Sequence, residues 1–171
     1  MKILLATDGS EESELAARVA VELAKCTGSE LHLVHVKLIP LTSPYPEVLD
    51  WREDLERAER EARELLDEQV RMVEEEAGGT VAGTHLREEE PAEEIVALAE
   101  ELGVRLIIVG RRNRGLIRRA LAGSVSDSVV RHAHRPVLVV PSRKAADNRG
   151  RLSRGTWTAR SGAFKQASAR R

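Results

Sequence analysis

Residues 104–110 read VRLIIVG, an apolar run of strand length that ends at a glycine. Four aliphatic residues follow one another from Leu106 to Val109, with no alternation of polar and apolar side chains. Such a continuous run is typical of a strand that is covered on both faces of a sheet. Strands covered in this way belong to parallel sheets joined by helical crossovers. We therefore predict a parallel strand over residues 104–109 in an α/β domain.

The same alternation of apolar runs and helical patterns extends outward from this strand. Further strands are predicted at residues 2–7, 31–36, 80–86 and 136–140. Helices are predicted at residues 11–27, 51–77, 91–102 and 124–132, on the basis of apolar periodicity and of capping residues. The order is β-α-β-α-β-α-β-α-β, which indicates a five-stranded parallel sheet with helices on both faces.

The first helix has clear boundaries. Ser10 is placed to cap its N-terminus, two acidic residues follow in the first turn, and Gly28 can end it. Its apolar face is predicted to turn toward the core and to contain Leu15, Val19, Leu23 and Cys26. Cys26 is therefore interpreted as a core residue rather than a nucleophile.

Charge divides the chain into two parts. The whole sequence has 27 Lys and Arg against 28 Asp and Glu, but residues 142–171 hold nine of the basic residues and one acid. This leaves 18 basic and 27 acidic residues in residues 1–141. We predict an acidic globular domain over 1–141 and a basic tail over 142–171 that does not fold alone.

The composition also bears on the compartment. No apolar run is long enough to cross a bilayer, and the N-terminal residues lack the cleavage pattern of a signal peptide. The one cysteine cannot form an internal disulfide, which fits a reducing compartment. We expect a cytoplasmic protein that does not contact membranes.

The candidate ligand site lies where predicted strands end. In open α/β sheets, ligands bind outside the carboxyl ends of the strands, at the point where the strand order reverses. Three segments leave such ends here: residues 7–10, 36–37 and 109–126. The last of them leads through Gly123 into a helix whose first turn has Ser124 and Ser126. The free amides at a helix start, together with these hydroxyls, make an anion site.

Common nucleotide-binding motifs are absent from this segment. Gly110 and Gly115 have the glycine spacing of a P-loop, but Leu116 and Ile117 stand where Lys and Ser or Thr are required. No G-x-G-x-x-G pattern follows the first strand either. An ordinary turn followed by an N-capping serine remains the alternative interpretation of the loop.

Several motifs together resemble the universal stress protein family. That family has a first strand ending in Asp, a second strand ending in His-Val, and a late signature of Gly, two residues, Gly, nine residues, Gly, then Ser or Thr. The corresponding segments here are ATDGS at 6–10, LVHV at 33–36, and Gly110, Asn113, Gly123 and Ser124. The resemblance covers about residues 1–141 and continues through the last predicted helix and strand.

The resemblance implies a Rossmann-like fold of the adenine nucleotide alpha hydrolase-like type, and an ATP site. Its residues would be Ala6, Thr7, Asp8, Val36, Val109, Gly110, Asn113, Gly123, Ser124, Val125 and Ser126. By this resemblance Asp8 would contact the ribose or a Mg²⁺ ion bound to the phosphates, and Val36 would pack on adenine. Val109 and Gly110 would lie along the nucleoside, and residues 123–126 would hold phosphates.

One position departs from the family signature, because Asn113 replaces its second glycine. Asparagine tolerates a positive φ better than other residues with a side chain, so the turn can survive the change. Its side chain could still crowd the ligand.

Three functions remain open at this stage. The chain could be a nucleotide-binding stress-response regulator, a slow ATP hydrolase, or a nucleic-acid binder acting through the basic tail, where Trp157 and Phe164 interrupt the charges. No dedicated general base is identifiable, so no catalytic residue is predicted. The resemblance also implies a homodimer, for which the apolar strand Val137–Val140 offers an edge.

Overall fold

We describe the protein from a computed structural model, which describes residues 1–38, 51–111 and 124–142. The strands in these residues are β1 (Lys2–Ala6), β2 (Glu30–Lys37), β3 (Val81–Glu88), β4 (Leu106–Arg111) and β5 (Val137–Pro141). The helices are α1 (Glu11–Thr27), α2 (Trp51–Arg71), α3 (Pro91–Leu102) and α4 (Val125–His132). A π-helical turn, Met72–Glu76, continues α2. Asn113, Gly123 and residues 143–171 lie outside the described residues, so the predictions made for them stay predictions.

The five strands form one parallel sheet in the order β3-β2-β1-β4-β5. The predicted Rossmann-like α/β fold is therefore confirmed. The chain adds β2 and β3 on one side of β1, and then crosses to add β4 and β5 on the other. The strand order thus reverses between β1 and β4, and this switch point is where ligands bind in such sheets.

Helices cover both faces of the sheet. Alternate side chains of each strand point to opposite faces, so each face has its own core. Ile3 and Leu5 of β1 pack with α1, α2 and the π-helical turn, whereas Leu4 packs with α3 and α4. All buried apolar core residues described by the structure are aliphatic or Met. This explains why β1, β4 and β5 are recognisable as continuous aliphatic runs in the sequence.

The predicted core face of α1 is wrong. Its buried residues are Ser13, Ala16, Ala17, Ala20 and Val21, whereas Cys26 is exposed. Leu15, Val19 and Leu23 are only half-buried. The small side chains let the helix axis approach the sheet closely, so the helix turns its alanines rather than its larger residues toward the strands. The Ser10 cap and the end at Gly28 are confirmed.

Helix α1 approaches the sheet closely at Gly110. A methyl group added to this glycine would lie 2.6 Å from the carbonyl oxygen of Glu12 and 2.9 Å from the backbone nitrogen of Ser13. Both of these atoms belong to the main chain of the first turn of α1, so no side chain can rotate away. Gly110 is therefore required by the packing of β4 against the start of α1.

Helix α2 confirms the predicted long amphipathic helix. Its core-facing residues continue into the π-helical turn, with Met72 and Val73 buried. Arg63 and Glu59 form an ion pair at 2.7 Å across one turn of this helix, and Arg57 pairs with Asp54 at 3.4 Å. Pairs this exposed contribute little to stability. None of the helices in the described residues is long and apolar enough to span a membrane.

A pair of histidines joins β2 to β3. His32 Nδ1 lies 3.3 Å from His85 Nε2, so one ring donates a proton to the other. Burial lowers the pKa of His85, and the neighbouring His32 and Arg87 lower it further, while Glu101 opposes them. His35 points to the opposite side of β2, as expected from its spacing of three from His32. His32 and His35 therefore cannot bind one metal ion together.

We expect this pair to make the protein less stable in mild acid. The pKa of His85 is lowered in the folded chain, so below about pH 6.5 the unfolded chain binds the proton first and unfolding is favoured. Stability should therefore fall as the pH drops from 7 toward 5.5. Urea unfolding at several pH values would measure the slope, which should be shallower in His85→Gln. Equal slopes in the two proteins would contradict this assignment.

Candidate functional site

Three of the predicted site residues lie on one face of the sheet. In the strand register, Ala6 of β1 is opposite Val109 of β4 and Val34 of β2, and Val36 lies two residues further along β2. Ala6, Val36 and Val109 all pack with the core under α3 and α4. They surround the carboxyl end of β1 at the switch point. Ala6 and Val36 are partly exposed there and offer apolar surface that a flat aromatic ring could cover, whereas Val109 is buried.

The loop after β1 places a carboxylate at this edge. Asp8 is exposed, and its Oδ1 accepts hydrogen bonds from the backbone nitrogen and the hydroxyl of Ser10. Ser10 in turn caps α1 by accepting from the backbone nitrogen of Ser13 at 3.3 Å. The left-handed conformation of Gly9, with φ of 70°, makes this tight turn possible. Asp8 is thereby tied to the start of α1.

Thr7 points away from this face. Its side chain is buried, and its hydroxyl lies 2.8 Å from Gln69 Oε1 of α2, on the opposite side of the sheet. The main chain of Thr7 is held as well, since its nitrogen donates to Val34 O and its carbonyl oxygen accepts from His35 Nδ1, each at 2.9 Å. The contact of Thr7 with a nucleotide stays a prediction. Its hydroxyl is hydrogen-bonded to Gln69 inside the protein.

The start of α4 supplies donors on the same side of the sheet as Ala6. Ser124 caps the helix by accepting from the backbone nitrogen of Asp127 at 3.2 Å, and its Oγ lies 2.8 Å from that of Ser126. Where Ser126 donates in this pair, the hydroxyl proton of Ser124 is available to a ligand. The first amides of the helix, at Val125 and Ser126, precede the intrahelical hydrogen-bonding pattern and can add N–H donors.

The acidic residue at this edge fits a role beside a ligand-bound cation rather than in a preformed metal site. Mg²⁺ is usually held by one or two carboxylates together with phosphate oxygens and water. Asp8 provides one carboxylate of this kind. Residues 1–38, 51–111 and 124–142 contain no group of three or more His, Cys, Asp and Glu side chains that could hold a metal ion.

A concave surface lies on the other face of the sheet, between α1 and α2. This groove of about 300 Å³ is lined by Glu14, Glu68 and Glu75, together with Gln69, Arg71 and Met72. Three carboxylates against one guanidinium make it a poor place for phosphates. The acidic groove therefore does not compete with the switch point as an anion site.

Gln69 and the role of His35 were not predicted from the sequence. Gln69 is on the buried side of α2 with Ala62, Leu66 and Val73, and is itself only 4% exposed. A polar residue within an apolar helical stripe is the signal that could have identified it. For His35 the signal is weaker, because the sequence does not show that its ring reaches the carbonyl oxygen of Thr7.

Known proteins are similar to this chain over most of its length. The sequence model of the universal stress protein family matches residues 1–141 of this chain. A universal stress protein of Methanocaldococcus jannaschii is 35% identical over 143 residues, which cover 84% of this chain and 83% of that protein.

Two solved structures extend the comparison to bound ligands. The universal stress protein of Archaeoglobus fulgidus in complex with dAMP is 28% identical, with a TM-score of 0.60, over 82% of this chain and 97% of that one. A universal stress protein in complex with cAMP is 25% identical, with a TM-score of 0.61, over 82% and 96% of the two chains.

Proposed function

The chain belongs to the universal stress protein family, and from this membership and the site geometry we propose that it binds an adenine nucleotide at the switch point. The observation that carries the proposal is the convergence of Ala6, Val36 and Val109 on one face beside the start of α4. An apolar surface next to amide and hydroxyl donors suits a base attached to phosphates.

The bound ligands of the neighbours support the adenine part of the proposal. The two neighbouring structures hold dAMP and cAMP, which share the adenine base and one phosphate group. In this chain Val36 would pack on the base, and Val109 and Gly110 would lie along the nucleoside. Ser124, with the amides that follow it, would receive phosphate oxygens.

We further propose that ATP with Mg²⁺ is the form that binds. The start of α4 can receive more than one phosphate oxygen, since it offers both amides and hydroxyls. Asp8 is a suitable carboxylate for a Mg²⁺ ion held mainly by phosphates and water, or alternatively for the ribose hydroxyls. Asn113 and Gly123 belong to the same proposed site; Gly123 matches the family signature, whereas Asn113 stands where the signature has its second glycine.

Calorimetric titration of the full chain tests this proposal. ATP should bind saturably in the presence of Mg²⁺, and AMP should compete for the same site. GTP is the matched control, because it carries the same phosphates on a different base. No saturable heat with any adenine nucleotide, or equal binding of GTP and ATP, would contradict an adenine site.

We propose that nucleotide binding serves stress-response regulation, in the cytoplasm, rather than turnover. A slow ATP hydrolase is the alternative. Phosphate release by the wild type that disappears in an Asp8→Ala, Ser124→Ala double variant would favour the hydrolase. Release that persists in the double variant would indicate a contaminating enzyme.

We also propose a homodimer formed through Val137–Val140. Strand β5 is the last strand of the sheet and pairs with β4 alone among the described strands. Its residues are half-buried, and an apolar edge of this kind is stabilised by pairing with another strand. A dimeric mass in light scattering at micromolar concentration is expected, whereas a monomeric mass would contradict the proposal.

The basic tail of residues 142–171 is the basis of the nucleic-acid alternative. Binding through phosphate contacts should weaken steeply as the salt concentration rises. It should also disappear when residues 142–171 are deleted. Binding that does not respond to salt, or that survives the deletion, would remove this alternative.

A further inference from the structure

We propose that Gln69 of α2 is a positioning residue for the nucleotide site, acting through Thr7 on the main chain around Asp8. This inference rests on the proposed function, since it assigns Gln69 a role at that same site. Gln69 lies on the opposite face of the sheet and does not belong to the family signature. Three observations support the proposal: the burial of Gln69, its hydrogen bond with Thr7, and the position of Thr7 next to Asp8.

The burial of Gln69 requires a reason. Transferring an amide from water to an apolar environment is unfavourable unless it is hydrogen-bonded. Gln69 is 4% exposed, and its neighbours on the buried side of the helix are Ala62, Leu66 and Val73. An apolar residue would pack with these neighbours without that cost, so the polar contact of Gln69 is the reason for its presence that the structure offers.

The contact of Gln69 is with the hydroxyl of Thr7, 62 residues away in the chain, at 2.8 Å. The Thr7 oxygen also lies 3.2 Å from Ser13 Oγ, but Ser13 donates its own proton to the carbonyl oxygen of Ser10 at 2.8 Å. Thr7 has a single hydroxyl proton, and the shorter distance gives it to Gln69. Gln69 therefore determines the direction in which the Thr7 hydroxyl points.

This direction affects the residues on both sides of Asp8. When Thr7 donates to Gln69, its oxygen lone pairs remain to accept, and the backbone nitrogen of Gly9 lies 3.4 Å from that oxygen. The Gly9 contact is long, but donation by a hydroxyl strengthens its acceptance of another hydrogen bond. Asp8 lies between the two residues of this chain of hydrogen bonds. Gln69 thereby limits the movement of the loop that presents the Asp8 carboxylate.

The test is ATP affinity in three variants of the full chain, measured with Mg²⁺ at a temperature where each is folded. Gln69→Met keeps the length of the side chain and removes the acceptor, and Thr7→Val removes the donor while keeping the shape. Each should weaken ATP binding about threefold to tenfold, which corresponds to losing one hydrogen bond. The double variant should be no weaker than the weaker single variant, because both changes remove the same contact.

Two further variants separate positioning from general loss of stability. Thr7→Ser keeps the hydroxyl and should restore most of the ATP affinity that Thr7→Val loses. Leu66→Val lies one turn earlier on the buried side of α2 and destabilises the core there without removing a hydrogen-bonding group. Its ATP affinity, measured while folded, should be unchanged. The Thr7→Val and Thr7→Ser pair decides the question if Gln69→Met does not fold.

The outcomes distinguish this inference from the function on which it rests. Tight ATP binding by the wild type together with equal binding by Gln69→Met or Thr7→Val would overturn the positioning role and leave the nucleotide site intact. Equal weakening in Leu66→Val and Gln69→Met would also overturn it, because the effect would then follow stability. No binding of adenine nucleotides by the wild type would overturn both.

Discussion

Replacing Asp8 with alanine is expected to weaken ATP binding about tenfold to a hundredfold, because a charged hydrogen bond contributes about 1.5–3 kcal/mol. Asp8 is the carboxylate at the end of β1, and Ser10 holds it through two hydrogen bonds to Oδ1. Whether it receives the ribose hydroxyls or a phosphate-bound Mg²⁺ ion, the alanine variant loses the interaction. Titration calorimetry with and without Mg²⁺ measures the loss.

Two further variants identify what Asp8 contributes. Asp8→Asn keeps an oxygen that can accept from Ser10 but removes the charge, so a role in binding Mg²⁺ predicts that the Mg²⁺ dependence of ATP binding disappears. A ribose contact predicts a smaller loss that does not depend on Mg²⁺. Glu11→Gln removes one exposed charge three residues away and is the control. If Glu11→Gln weakens binding as much as Asp8→Asn, the effect is one of net charge alone.

Replacing Gly110 with alanine is expected to destabilise the protein by about 3 kcal/mol, at the upper end of the usual cost of overpacking. The added methyl group would lie 2.6 Å from the carbonyl oxygen of Glu12, a main-chain atom that cannot rotate away. Relief of this contact requires the first turn of α1 to move off β4. Urea unfolding followed by circular dichroism measures the change in the free energy of unfolding.

Gly103→Ala is the matched control for this prediction. Gly103 ends α3 with φ of 62°, and a methyl group added there meets no atom within 4 Å. Its replacement costs only the strain of a left-handed alanine, about 1–2 kcal/mol. A Gly110→Ala variant as stable as the wild type would show that α1 does not approach β4 as closely as described here.

Strands β1, β4 and β5 could be predicted from the sequence because each has a continuous aliphatic core. Residues 104–109 and 2–7 lack polar alternation, which is typical of strands covered on both faces. Capping residues fixed several helix boundaries in the same way. Ser10 and Ser124 accept from the backbone of their helices, and Gly28 and Gly103 end theirs in the left-handed conformation.

The direction in which α1 faces could not be predicted in this way. Periodicity favoured the side with Leu15, Val19 and Cys26, because larger side chains carry more weight in an apolar pattern. The sheet instead accepts the alanine side, since a short distance between helix and strand leaves no room for larger residues. That distance is a property of the packed structure, and Gly110 on the neighbouring strand is part of its cause.

The location of the candidate site could be predicted from the sequence, but the hydrogen bonds behind it could not. Parallel strands bring Ala6, Val36 and Val109 to one edge, and this follows from topology alone. The hydrogen bond from Thr7 to Gln69 joins residues 62 positions apart, and no local pattern connects them. A contact between residues so far apart in the sequence can be identified only in the folded structure, where both faces of the sheet are in place.

Amide NMR titration of the full chain with ATP and Mg²⁺ tests the central claim most directly, because it reports binding and location together. A nucleotide site at the switch point predicts saturable shifts of the amide signals of Asp8, Gly9, Val36 and Gly110. It also predicts shifts at Val125 and Ser126 in the start of α4. Residues around the acidic groove between α1 and α2, such as Glu14 and Glu75, should move little. Saturable shifts centred on that groove, or no saturable shifts at all, would contradict a nucleotide site at the switch point.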